Sequence, residues 1–338
     1  MRRRAAGGAA MILVAGVLAG CGRPEATGAS LVRSGPLAAL PRETVGLVVL
    51  EVGALRDVEP VERWLRDLPA RAGEEGLVRE VERAFGPGML EKLHRLALAI
   101  VPLGADAMGY AIVAQGAFDE AALRRSLGGS DVLTLLEVDG RPDFSVAVLD
   151  GGTLALGARS LLEVVRRNAG RRGAGLDGNR RLLDLLARVR PPSQVWGAID
   201  YAPMARLVRR AVEGAGVAGL SASPGPAEGV LQSVAFQGTL SGQSVAYDLL
   251  GQASGEPGAR QLADAARGLV SLARMAVSQD ASRAWFQILD AIRVEQEGIE
   301  VRVHGSIPPE ALGELAGGAP GAPAAREAPP GTAGPPVP

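Results

Sequence analysis

One cysteine in 338 residues, Cys21, sets the terms on which this chain folds. No disulfide can close within a single copy, so the structure must be held by buried apolar surface and backbone pairing rather than by covalent staples. The composition supplies that surface: 47% of the residues are hydrophobic and 22% charged, and the 46 Gly and 23 Pro lack the strict period of collagen. The length fits one or two globular domains. Basic and acidic residues nearly balance, 36 against 37, so no global field draws the chain to nucleic acid or to an anionic surface. Eleven aromatic residues offer few platforms for base stacking, and no nucleic-acid partner is expected.

The residues before Cys21 fix the expected location. Arg2, Arg3 and Arg4 form a positive leader, and the small and apolar stretch from Ala5 to Gly20 is shorter than the roughly 20 residues that span a bilayer, which reads as a cleaved export signal. The stretch ends in Leu18-Ala19-Gly20-Cys21, which resembles the lipobox of bacterial lipoproteins. The resemblance implies that Cys21 is thioether-linked to a diacylglycerol, becomes the N-terminus on cleavage, and is acylated again. Several acyl chains on one residue give stable anchoring, which a single chain does not. Gly22 rather than Asp follows the cysteine, which resembles the pattern released toward the outer membrane. The expected location is therefore the bacterial cell envelope, at the outer membrane and facing the periplasm.

Composition divides the rest. Residues 1–20 read as signal peptide and 21–40 as a flexible tether, small and polar with Pro24 and Pro36. Residues 317–338 form a Pro/Gly/Ala-rich tail without an aromatic side chain and read as disordered. Between them the pattern alternates between helical and strand periods. Helices are predicted around Val61, Trp64, Leu65 and Leu68; around Leu77, Val81 and Phe85; at Leu161, Val164 and Val165; at Leu182, Leu185 and Leu186; at Met204, Leu207 and Val208; and from about 258 to 278. Strands are predicted over 44–51, 95–101, 109–118 and 194–200. Val234, Phe236 and Leu240 turn at Ser241-Gly242 into Val245, Tyr247 and Leu249. Ile292 and Val294 turn at Glu297-Gly298 into Ile299, Val301 and Val303, with Arg293, Glu295, Glu300, Arg302 and His304 on the opposite, polar face. Such one-sided strands predict an α+β fold with antiparallel sheets and helices packed on one face.

The element order suggests a weak internal repeat. From about residue 41 the chain runs strand, helices, hairpin, helix and a hairpin turning at Asp139-Gly140, and from about 191 a similar order returns. The expected units are an α+β lobe over 41–190 and a second over 191–316, packed together or sharing one sheet.

The catalytic inventory is thin. A serine hydrolase needs a positioned imidazole, and only His94 and His304 exist, neither in a motif. Lys92 has no Ser three residues before it, no Gly-x-Ser-x-Gly elbow is present, and two distant histidines with no free thiol offer no zinc site. Two Gly-x-Gly-x-x-Gly matches, Gly173 to Gly178 and Gly214 to Gly219, follow helices rather than strands. Chance alone gives about 0.85 such matches in a chain this rich in glycine. Arg171, Arg172, Arg180 and Arg181, and then Arg206, Arg209 and Arg210, form basic segments that suit either a solvated helix face or contact with lipid headgroups, a glycan or an acidic partner. Trp64, Trp196 and Trp285 fall on apolar stripes or strands and are expected in the core.

The sequence thus points to a non-enzymatic, lipid-anchored envelope protein, a binding or assembly component that needs no cofactor. Its expected partners are the membrane, through the lipid on Cys21, and an envelope protein or lipid. Two alternatives stay open. One is a carrier of an apolar or lipid ligand. The other is a hydrolase of envelope glycans built on carboxylates, for which Asp139 and Asp200 are better read as turn and strand-end residues. Cys21 is the one residue assigned chemistry.

Overall fold

The computed structural model describes residues 26–56, 89–104, 107–126, 132–138, 141–190, 193–205, 229–241, 244–280, 283–308 and 311. Cys21, the helices expected at 61–68 and 77–85, the turn Asp139-Gly140 and the tail 317–338 lie outside them.

Eleven strands form one open antiparallel sheet: β1 (Gly46–Leu50), β2 (Leu93–Pro102), β3 (Met108–Gly116), β4 (Val132–Val138), β5 (Arg141–Asp150), β6 (Thr153–Gly157), β7 (Val195–Asp200), β8 (Leu231–Ser241), β9 (Ser244–Ala253), β10 (Arg293–Glu297) and β11 (Glu300–Ile307). Their order is β10-β11-β9-β8-β7-β1-β2-β3-β6-β5-β4. Among the described residues, six helices of seven residues or more flank them: α1 (Gly28–Ser34), α2 (Glu120–Ser126), α3 (Arg159–Asn168), α4 (Arg180–Leu186), α5 (Glu256–Asp280) and α6 (Arg283–Ala291).

The expected α+β architecture is present, and the two halves share a single sheet. Reading outward from the β1–β7 pair, one half runs β1-β2-β3-β6-β5 and the other β7-β8-β9-β11-β10, so the strand order repeats. The hairpin that answers Glu297-Gly298 turns at Gly151-Gly152, between β5 and β6, and β4 is an addition to the first half. The register carries one apolar rung across the sheet, from Val146, Leu156, Ile112, Leu98 and Val48 through Gly197 to Phe236, Leu249, Val303 and Val294. Gly197 sits at its centre for a steric reason: an added Cβ would collide with the Leu47 carbonyl oxygen and come within 2.7 Å of the Phe236 ring.

In the first half both faces of the sheet are buried, the main core lying under α3 and α4 and a smaller cluster of Leu93, Val146, Leu154 and Leu156 with Val52 on the opposite face. In the first half the strands present small side chains, Ala97, Ala99, Ala111, Ala147 and Ala155, to a core completed by Leu162 and Val165 of α3 and Leu182, Leu183 and Leu186 of α4. Alanine lets a helix lie close to a sheet, and Trp196 fills the remaining depth at the seam. In the second half this face turns polar, and α5 instead packs Ala259 and Ala263 against Ala253 and Val301 on the other side. Farther along α5, Leu269 and Leu272 stay exposed.

Residues 28–40 are not a tether. Thr27 and Ser30 form a reciprocal capping box that starts α1, and Val32, Leu37 and Leu40 are completely buried in the main core. The segment is stitched to the α3–α4 region. Gly28 N–H donates to the Val189 carbonyl at 3.2 Å and Leu176 N–H to the Leu40 carbonyl at 2.8 Å. The Asn168 amide donates to the Ala39 carbonyl, and the Asn179 amide, which also caps α4, donates to the carbonyls of Arg42 and Thr44. Gly and Pro in this stretch read as linker, yet the surface they cover is distant in sequence, and burial there outweighs local propensity.

Two substitutions test this architecture by urea denaturation. Leu37→Ala is expected to cost about 2–5 kcal/mol, the range for a buried leucine, whereas a tether residue would cost nothing. Gly197→Ala is expected to destabilise the whole sheet in one cooperative transition, because the seam strands must separate to admit a methyl group.

Candidate functional site

Cys21, the residue to which the sequence assigns chemistry, lies outside the described residues, which start at 26 with the Thr27 cap of α1 next in the chain. The histidines stand apart. His94 is exposed near the start of β2, at the bulge between Leu93 and Arg95, and His304 is on the polar face of β11. Lys92 is exposed at the end of a four-residue helical turn. The first glycine motif links α3 to α4, where Gly173 N–H donates to Asp177 Oδ2 at 2.6 Å, so its loop is closed by its own carboxylate. The second lies outside the described residues, as do Arg206, Arg209, Arg210 and Trp64. Trp196 is fully buried and donates its indole N–H to Glu51, while Trp285, partly buried, packs against the small cluster of Ile288 and Ala311. Among the described residues, no group of three His, Cys, Asp or Glu is placed to hold a metal, and no helix is long and apolar enough to cross a membrane.

What the strands do bring together is a charged cleft. The exposed face of β8, β9, β11 and β10 forms its floor and the chain leaving α4 forms its wall, enclosing about 830 Å³. Because the sheet alternates faces residue by residue, the polar set noted in the sequence, Glu295, Glu300 and Arg302, projects to this side together with Asp248 and Gln237. Arg302 grips Asp248 with two parallel bonds, Nε to Oδ1 at 2.8 Å and a terminal nitrogen to Oδ2 at 2.6 Å. Arg188, just beyond α4, pairs with Glu300 from across the cleft. Gln237 accepts from the Arg190 backbone N–H at 2.8 Å and reaches Asp248 with its amide. His304 Nε2 lies 3.4 Å from Glu295 without hydrogen-bond alignment.

A second polar row marks the rim. Asp200, Ser233, Gln252 and Glu300 occupy successive register positions. Ser233 donates to Gln252 at 3.0 Å, and Gln252 reaches Glu300. Arg181, at the start of α4, meets Asp200 at 2.9 Å. Arg181 and Arg188 thus hold the two ends of one row from either end of the same helix. The sequence shows the strand-borne half of this arrangement as an alternating polar face. It does not show Arg181 and Arg188 as its partners, because their separation matches the width of the sheet only after α4 is laid across it.

The electrostatics follow from these contacts. The Arg188 guanidinium, with help from Gln252, holds the Glu300 carboxyl below the usual carboxylate range despite partial burial. Asp248 raises the already high value of Arg302. Asp200 moves the other way: burial at the end of β7 raises it, opposed by Arg181 and by the Ala202 backbone N–H. A glycosidase needs a carboxyl that keeps its proton beside a second that does not. In this cleft Asp248 and Glu300 are each neutralised by an arginine, and Asp200, the carboxyl that burial raises, stands three strands from Glu300, roughly 14 Å along the row and beyond the reach of such a pair. The cleft offers alternating fixed charges, with the Arg190 guanidinium and Glu297 uncommitted at its edge among the described residues.

No protein-family model and no curated protein sequence matches the chain. Among solved structures it is similar to TP0453 in three crystal forms. Form IV gives a TM-score of 0.45 at 10% identity, covering 84% of this chain and 95% of that one. Form III gives 0.43 at 10%, covering 84% and 98%, and form I 0.41 at 11%, covering 84% and 96%.

The two rim carboxylates have opposite pH signatures. Glu300, lowered in the folded state, contributes stability above its unfolded value near about 4.3 and loses it as pH falls through the folded value. Glu300→Gln should therefore cost up to about 1 kcal/mol at pH 7, as exposed ion pairs do, and progressively less as pH falls toward 3. Asp200, raised in the folded state, penalises the fold once ionised, so Asp200→Asn should gain relative to wild type as pH rises from 3 to 7. Urea midpoints across that range check both signs.

Proposed function

We propose that the chain is a lipid-anchored bacterial envelope protein, held at the outer membrane through acylated Cys21, and that it works as a non-catalytic binding or assembly component. The observation that carries this reading is the charged cleft on the open face of the sheet. Its carboxylates and guanidiniums neutralise one another pairwise, which suits adhesion to a polar partner and not proton transfer. Fixed charges of both signs select a complementary pattern on a partner more than they add raw affinity. The matching occupant is a protein surface or headgroup that presents both signs, and Arg190 and Glu297 are the groups left to meet it.

The carrier alternative calls for an enclosed apolar cavity. The charged cleft is open and mainly polar, and a second one of about 700 Å³ beside α1 is also open, with Arg33, Asp150, Arg171 and Arg172 lining it beside Pro36 and Leu149.

Mass spectrometry of protein extracted from the envelope tests the anchor. The N-terminal peptide of the wild type should begin at a multiply acylated Cys21, and Cys21→Ser should be recovered without acyl chains and released from the membrane. An unacylated Cys21 or an intact Met1 in the wild type contradicts the reading. For the cleft, a photo-crosslinker at position 190 or 297 in intact cells should capture one abundant envelope partner, with the capture reduced several-fold by Arg302→Ala. Crosslinks scattered without preference would contradict it.

A further inference from the structure

We propose that Arg33, Arg171 and Arg172 form a docking surface for the anionic headgroups of the same bilayer that holds Cys21, so that the anchored body sits on the membrane by a defined face. This rests on the anchor reading above and adds an orientation to it.

The first observation is reach. The described chain already enters the core at Thr27 and Gly28, so only six peptide units separate Cys21 from the folded body. Six extended residues span at most about 20 Å. α1 adds seven residues, roughly 10 Å, before its last turn presents Arg33. The end of the body that carries α1 is therefore confined close to the headgroups, and it cannot swing freely as a 20-residue tether would allow.

The second observation is what that end carries. Arg33 comes from α1 and Arg171 and Arg172 from the turn after α3, and all three line the open cleft of about 700 Å³. Four arginines elsewhere in the body are committed: Arg95 to Glu51, Arg181 to Asp200, Arg188 to Glu300 and Arg302 to Asp248. Arg33, Arg171 and Arg172 are exposed and have no carboxylate partner among the described residues. The two carboxylates in the cleft, Asp150 and Asp177, each spend an oxygen on a backbone N–H, of Gly152 and Gly173 respectively, and so serve the turns. A chain that is nearly neutral overall thus sets three exposed arginines against two turn-bound carboxylates at the end that its anchor holds.

The third element is range. Attraction to an anionic leaflet decays within a Debye length, about 8–10 Å at physiological salt, so such a patch has effect only when the body is held close. Each net positive charge near an anionic surface contributes roughly a fivefold gain in partitioning, so the excess of the three arginines over the two carboxylates contributes on the order of fivefold.

The test uses the full lipidated chain in vesicles of phosphatidylcholine, with or without about one third phosphatidylglycerol. Acylation consumes the native cysteine, so Ser34→Cys in the cleft and Ser306→Cys on β11 each give a unique site for a fluorophore, read by a lipid-borne quencher. The label at 34 should be quenched several-fold more in the anionic vesicles. That difference should vanish at ~1 M NaCl, where screening shrinks to about 3 Å, and in the variant Arg33→Gln/Arg171→Gln/Arg172→Gln, whose melting temperature should match wild type because the three side chains are exposed. The label at 306 should not respond. Equal quenching at 34 in both vesicle types, or a difference that survives in the triple variant, overturns the docking surface. Flotation at ~1 M NaCl separates the two readings: wild-type protein that fails to float refutes the anchor and with it this inference, whereas protein that floats without a quenching difference refutes the docking alone.

Discussion

The pairing of β1 with β7 is the interaction on which the rest of the structure depends. It joins strands about 150 residues apart in the sequence and converts two half-sheets into one, with Gly46–Leu50 hydrogen-bonded on one side to β2 and on the other to β7. With no covalent staple available, this five-residue strand is held by what packs against it. Leu47, Val49 and Trp196 are fully buried beneath α1 and α4. The polar edge is closed by Glu51, which accepts from the Trp196 indole and from Arg95, and by Gln194, which exchanges two bonds with Leu240. The small side chain at Gly197 and the small strands of the first half are consequences of that seam. Helices can close over it only if the sheet beneath them is low.

Much of this was legible in the sequence because strands and helices carry their own periods. The alternation at Val234, Phe236 and Leu240 and at Val294, Val301 and Val303 places those residues on one face, and the register confirms it. The repeated element order was also legible, although the matching hairpin in the first half turns at Gly151-Gly152 rather than at Asp139-Gly140. The misreading of 28–40 has a specific cause. Gly28, Gly35 and Pro36 interrupt any helical stripe, and Val32, Leu37 and Leu40 follow no single period, so nothing local announces that all three are core. The Thr27…Ser30 capping box was the one signal available, and it is short. Which face a helix covers was not legible either, because alternation defines two faces without saying which receives α3 and α4 and which receives α5.

The candidate site divides in the same way. Its strand residues, Glu295, Glu300, Arg302 and His304, stand out as a polar stripe. Their partners Arg181 and Arg188 come from the two ends of α4 and become partners only because that helix crosses the sheet. The face that the described helices leave open in the second half becomes the charged cleft, because α5 packs on the side opposite to α3 and α4. Function in this reading is carried by where the body is held and by which face is left uncovered, with paired charges setting selectivity.

Hydrogen exchange of the purified protein under native conditions tests the unity of this body most directly. If both halves and residues 28–40 belong to one cooperative structure, the amides of β1, β7 and α1 should share the slowest class and exchange through global unfolding, with a free energy equal to that from denaturant unfolding. If α1 exchanges at the rate of free chain, or if β1 and β7 open with separate free energies, the seam does not unite the two halves and the account fails.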